Sequence, residues 1–92
     1  MKTIADFKRK MTIGSKWETI HRFKDKQPSN LGIRECTISQ SNSFALATKL
    51  DNGTTRNAWC DYPKVKETTF IGTDTILIDF GYGTLIYKYI EG

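Results

Sequence analysis

Residues 43–62, SFALATKLDNGTTRNAWCDY, read as a β-hairpin. In the first arm, 43–50, Phe44, Leu46 and Leu50 share one face. In the second arm, 54–62, Ala58, Cys60 and Tyr62 fall on one side and Asn57, Trp59 and Asp61 on the other, the period-2 pattern of a strand. Asp51-Asn52-Gly53 joins them, and Asn-Gly accepts the positive φ angles of a type I′ turn, whose twist matches the flanking strands. Pro63 ends the second arm because it cannot donate to a ladder.

The same reading extends in both directions. Upstream, residues 15–23 alternate Trp17, Thr19, His21 and Phe23 against Lys16, Glu18, Ile20 and Arg22, and residues 33–40 place Cys36 and Ile38 on one face. A polar stretch, 24–30, containing Pro28, reads as a loop between them. Downstream, short strands are expected at 68–71, 75–80 and 84–90, divided by Gly72-Thr73-Asp74 and Gly81-Tyr82-Gly83. Residues 3–11 differ: Ile4, Phe7 and Met11 form one helical stripe, Thr3 with Asp6 makes a capping box, and Gly14 is the stop signal. Turn signals every eight to twelve residues argue for an antiparallel meander. The expected fold is α+β: an N-terminal helix packed on a strongly curved antiparallel sheet or small β-barrel of about six strands, in a single domain spanning 1–92. The last strand, 84–90, is a candidate exposed edge.

Bulk properties narrow the class. A chain of 92 residues can bury roughly 60–65% of its unfolded surface, enough for one modest core. No apolar run approaches the ~18 residues needed to span a bilayer, and the opening MKTIADFK lacks the apolar core of a signal peptide, so the expected location is cytoplasmic with no membrane partner. Two cysteines, Cys36 and Cys60, do not make a disulfide framework and are expected as free thiols.

Charge is the uneven property. The first 26 residues hold eight basic and three acidic side chains, net +5, while the remaining six basic and seven acidic give −1. A clustered positive field suits a polyanion or an acidic protein face. Within it, Lys8, Arg9 and Lys10 lie at the C-terminal end of the helix, where the dipole favours cations, and so form a secondary basic patch. Lys16, Arg22, Lys24 and Lys26, on one strand face and its exit loop, are the stronger binding candidates. Trp17 and Phe23 either stack bases beside these cations, as single-strand binders do, or bury under the helix, which strand alternation favours. Beyond the hairpin tip, Arg56, Trp59 and Tyr62 are the side-chain types that dominate binding hot spots, and Trp59 either packs under the helix or serves as a docking anchor.

Catalytic and metal readings find little purchase. His21 is the sole histidine, and both cysteines fall on apolar strand faces, which favours inert packing over a Cys–His nucleophile. Cys36, Cys60, His21 and Asp61 show no ligand spacing typical of zinc, and Gly81-Tyr82-Gly83 neither follows a strand into a helix nor resembles a Walker loop. No enzyme activity, metal or cofactor is expected.

Over residues 33–64, the segments IREC, SNSFAL, DNGT and WCDYPK resemble a group of small, mostly uncharacterised proteins of Gram-positive phages and mobile elements. The opening MKTIADFKRK…IGSKW is similar in style. The resemblance carries no catalytic motif, so it transfers no residue role. It implies a non-enzymatic accessory protein that binds and inhibits a host nucleic-acid enzyme or ribonucleoprotein, in the manner of an anti-CRISPR. The net charge of +4 departs from acidic DNA mimics and points to guide RNA, DNA or an acidic protein surface as the contact. A small basic single-stranded DNA- or RNA-binding protein and a structural protein of a virion are the alternatives.

Overall fold

The computed structural model describes residues 1–23, 27–49, 55–81 and 83–91. One short helix, α1 (Ile4–Lys10), precedes seven strands: β1 (Lys16–Phe23), β2 (Ser29–Ser39), β3 (Ser43–Lys49), β4 (Thr55–Asp61), β5 (Glu67–Ile71), β6 (Thr75–Asp79) and β7 (Gly83–Ile90). They form one antiparallel sheet in the order β4-β3-β2-β1-β7-β6-β5. The expected α+β class with a strongly curved sheet holds, with seven strands in place of about six. The Asn52-Gly53 turn and Leu50 lie outside the described residues, but the pairing of β3 with β4, from Ser43↔Asp61 to Lys49↔Thr55, is the ladder such a turn would join.

β4 and β5 follow one another in sequence yet occupy opposite edges of the sheet. A flat sheet of this width would hold its edges about 29 Å apart, six spacings of about 4.8 Å. The connection, residues 62–66, spans at most about 20 Å even when extended, and Tyr62–Lys64 coils as a 3-10 turn that shortens it further. The sheet must therefore curl, and it does so into a half-barrel. Its edges are β4 and β5. The expectation that residues 84–90 form an edge is corrected: β7 is interior, paired with β1 and β6.

The helix fills one end of the concave side. Thr3 caps it: the Asp6 amide donates to the Thr3 hydroxyl, and the Thr3 amide donates back to the Asp6 carboxylate, completing the capping box. Phe7 and Met11 point into the sheet and are fully buried, while Ile4 is left half-exposed at the rim of the stripe. The Phe7 ring meets Trp17 at 5.3 Å, Phe44 at 5.5 Å, Tyr87 at 6.1 Å and Tyr62 at 6.4 Å between centroids, mostly edge to face. Trp17, Cys36, Leu46, Cys60, Ile76, Ile78 and Phe80 complete the core.

Two local departures from the expected strands lie on β2. β2 starts at Ser29 instead of 33, because its first residues extend the ladder with β1 as far as His21↔Ser29. The register slips between Thr19 and Ile20 on β1, opposite Gly32 at φ +77. Only the backbone conformation selects glycine there, since an added Cβ would meet nothing within 4 Å. A second slip between Cys36 and Ile38 buries Cys36 and leaves Ile38 only partly covered, so the two do not share one buried face as the alternation implied.

Because Phe7 touches four aromatic rings, Phe7→Ala should cost roughly 3–5 kcal/mol, seen as a lower urea midpoint with the slope preserved. Ile13→Ala, at an exposed turn position, should move the same midpoint by less than about 0.5 kcal/mol.

Candidate functional site

With α1 over one end of the concave face, the other end remains open, and it is basic. A cleft of about 550 Å³ lies there, lined by His21 of β1, Arg34 of β2 and Arg56 of β4 over a floor that includes Leu46, Leu85 and Tyr87. Each of these three side chains reaches it by strand parity. His21 follows the buried Trp17 and Thr19 at two-residue steps, Arg34 precedes Cys36, and Arg56 precedes Ala58 and Cys60. None of the described residues lining the cleft is a carboxylate. Asp79 of β6 and Glu67 of β5 pair with one another, at opposite parity to the buried Ile78. A second depression, of about 610 Å³, mixes Lys10 with Asp74 and Glu91 and so has no comparable field.

Burial first, and the Arg34 guanidinium second, hold the His21 imidazole below its ordinary pKa. The Nε atom of Arg34 is buried and has no hydrogen-bond partner. Among the described lining residues the cleft thus holds two guanidinium groups, one with a buried Nε that has no hydrogen-bond partner, over a floor that is largely apolar.

The residues singled out in the sequence divide among several surroundings. On α1, Arg9 bonds to Asp6, Lys8 lies 4.3 Å over the Tyr62 ring, and Lys10 lies 4.5 Å over Tyr89. These cations lean on their own fold. Lys16 and Arg22 are exposed on the convex face, Lys16 beside the helix end and Arg22 at the level of the cleft mouth, opposite Thr84. Lys24 and Lys26 lie outside the described residues. Trp17 is fully buried against Phe7 and Tyr89, so it is core; the Phe23 side chain lies outside those described. Trp59 is 56% exposed on β4 opposite Ala45, away from the helix, and also borders the cleft. Tyr62 packs on Phe44 and Phe7, and burial pushes its hydroxyl pKa up. Arg34 was not among the expected binding residues. Its inward parity with Cys36 was the readable signal.

The thiols behave as core atoms. Cys36 and Cys60 are free and buried, and burial raises both, Cys60 to about 12. Among the described residues no three His, Cys, Asp or Glu side chains form a group able to hold a metal, and no helix is long and apolar enough to cross a membrane. Comparison with known protein families, curated proteins and solved structures finds no match.

Two measurements check this geometry. Neither thiol should react with Ellman's reagent in the native state at pH 8, and both should react once the chain is unfolded in guanidinium; a rapid native reaction would contradict their burial. The single imidazole should titrate by NMR below about 6.5, and Arg34→Met should raise its midpoint. Because its folded pKa is the lower one, the native state binds fewer protons than the unfolded chain between the two values. This group's contribution is thus greatest above about pH 6.5 and is lost as pH falls toward the folded value.

Proposed function

We propose that this protein acts by binding, as a phage or mobile-element accessory protein that inhibits a host nucleic-acid enzyme or ribonucleoprotein in an anti-CRISPR-like way. Its contact with the target's nucleic acid is made at the open mouth of the half-barrel. The observation that supports this reading is the convergence of Arg34, Arg56 and His21 in a cleft without a described carboxylate. Guanidinium forks match phosphate oxygens in pairs, and an apolar floor lowers the local dielectric and strengthens each charge-assisted bond. Arg22 stands exposed at the same level and extends the field beyond the cleft. Trp59 supplies an exposed ring beside Arg56 for a base or an apolar side chain of the target.

Direct binding of free single-stranded DNA or RNA is the second reading, favoured by the same cleft. It cannot use Trp17 as a stacking platform, because that ring is enclosed. Fluorescence anisotropy with a reconstituted guide-RNA nuclease and with labelled oligonucleotides, each across a salt series, separates the two. The first reading expects tight binding to the ribonucleoprotein and weak binding to free strands. Comparable affinity for both favours the second. Engaging about four phosphates gives a log–log salt slope on the order of −3. The double variant Arg22→Glu/Arg56→Glu should weaken binding at least tenfold, about 1.4 kcal/mol. Unchanged affinity in that variant would remove the mouth from the interface.

A further inference from the structure

We infer that the cleft is a discrete site for a nucleoside monophosphate, taking the phosphate between Arg34 and Arg56 and the nucleoside over the apolar floor. Its source is either a free nucleotide or the phosphorylated end of a strand; the identity of the strand's owner rests on the function proposed above, but the site does not.

About 550 Å³ lies within the range of pockets that enclose small organic ligands and exceeds what a bare inorganic anion needs. Charge comes next. Two guanidinium groups facing one cavity with no described carboxylate exceed what a single carboxylate can neutralise, whereas a phosphate monoester carries close to two negative charges and three acceptor oxygens. The two arginines come from strands separated by β3, so a ligand of some breadth can meet both without either strand moving. Arg34 is anchored opposite Trp17 in the β1–β2 ladder, with its Nε buried and lacking a partner. That N–H is a donor whose burial is costly until an acceptor reaches it. A monophosphate oxygen is such an acceptor.

The floor decides the rest of the ligand. Leu46, Leu85 and Tyr87, with Phe80, line the cavity beneath the cations. A flat base or a ribose edge covers apolar surface there, which inorganic phosphate cannot do. The site is open at the mouth, so a nucleotide at a strand end can enter while its chain leaves past Arg22. An internal phosphodiester carries one charge and two flanking sugars, and fits the enclosed part of the cleft poorly.

His21 makes the inference directly measurable, because it is the only histidine and its imidazole signals stand alone in a proton spectrum. The probes are inorganic phosphate, adenosine monophosphate, a 5′-phosphorylated thymidine hexanucleotide and the same hexanucleotide without its terminal phosphate. Adenosine monophosphate and the phosphorylated strand should shift the His21 signals saturably and raise the imidazole pKa, since an anion offsets the neighbouring guanidinium. Inorganic phosphate should bind at least tenfold more weakly, and the unphosphorylated strand should leave His21 unmoved. Arg56→Gln, on an exposed edge position, and Arg34→Gln should each weaken the response at least tenfold, while Lys16→Gln on the far face should not.

Absence of any His21 response to adenosine monophosphate or the phosphorylated strand up to 10 mM would overturn the site. Equal binding of both hexanucleotides would overturn the preference for a terminal phosphate and leave the proposed contact with nucleic acid standing. Saturable binding of adenosine monophosphate by a protein that captures neither ribonucleoprotein nor oligonucleotide would support the site and discard the proposed function. Should Arg34→Gln fail to fold, Arg56→Gln alone decides the role of the guanidinium pair.

Discussion

The connection between β4 and β5 constrains the molecule more than any single contact. A link of five residues cannot join the edges of a flat seven-stranded sheet, so the sheet must bend until its edges approach. Once bent, the sheet has an inside, and every inward position on seven strands competes for the same enclosed space. Strand twist alone would give a gentle propeller; the short edge-to-edge link turns it into a half-barrel. Tyr62, at the start of that link, packs on Phe44 and Phe7 and ties the constraint to the core.

The two ends of that enclosure are filled differently. At one end α1 inserts Phe7 and Met11 among Trp17, Phe44 and Tyr87, large rings that leave no room for a ligand. At the other, the inward positions carry His21, Arg34 and Arg56, polar side chains around an open cleft in place of packed rings. Packing thus separates an end filled by aromatic rings from an open end lined by arginines within 92 residues.

Local chemistry carried much of this into the sequence. Thr3 and Asp6 mark the helix start because a capping box satisfies two orphan amides within one turn of chain. Ser43–Lys49 and Thr55–Asp61 could be read from alternation alone, as could the inward place of Trp17 and Cys60. The bulges in β2 could not, because a register slip is set by the partner strand; Gly32 accompanies the first, and no glycine marks the second. The role of residues 84–90 was misread for a related reason. A last strand is an edge only if nothing pairs on its far side, and β7 instead joins the first strand to the sixth. The cations of α1 were visible as a patch, but their neighbours Asp6, Tyr62 and Tyr89 were not, and those neighbours occupy them.

The sequence by itself determined most strand positions, the capped helix, the burial of the thiols and side-chain parity outside the bulges of β2. These follow from periodicity and short-range sterics that act within a few residues. The tertiary structure alone decided that His21, Arg34 and Arg56 share one cleft, because strand order and curl are settled by long-range pairing and by the reach of one short link. Parity says which way a cation points. Only the closed arrangement of strands says what it points at.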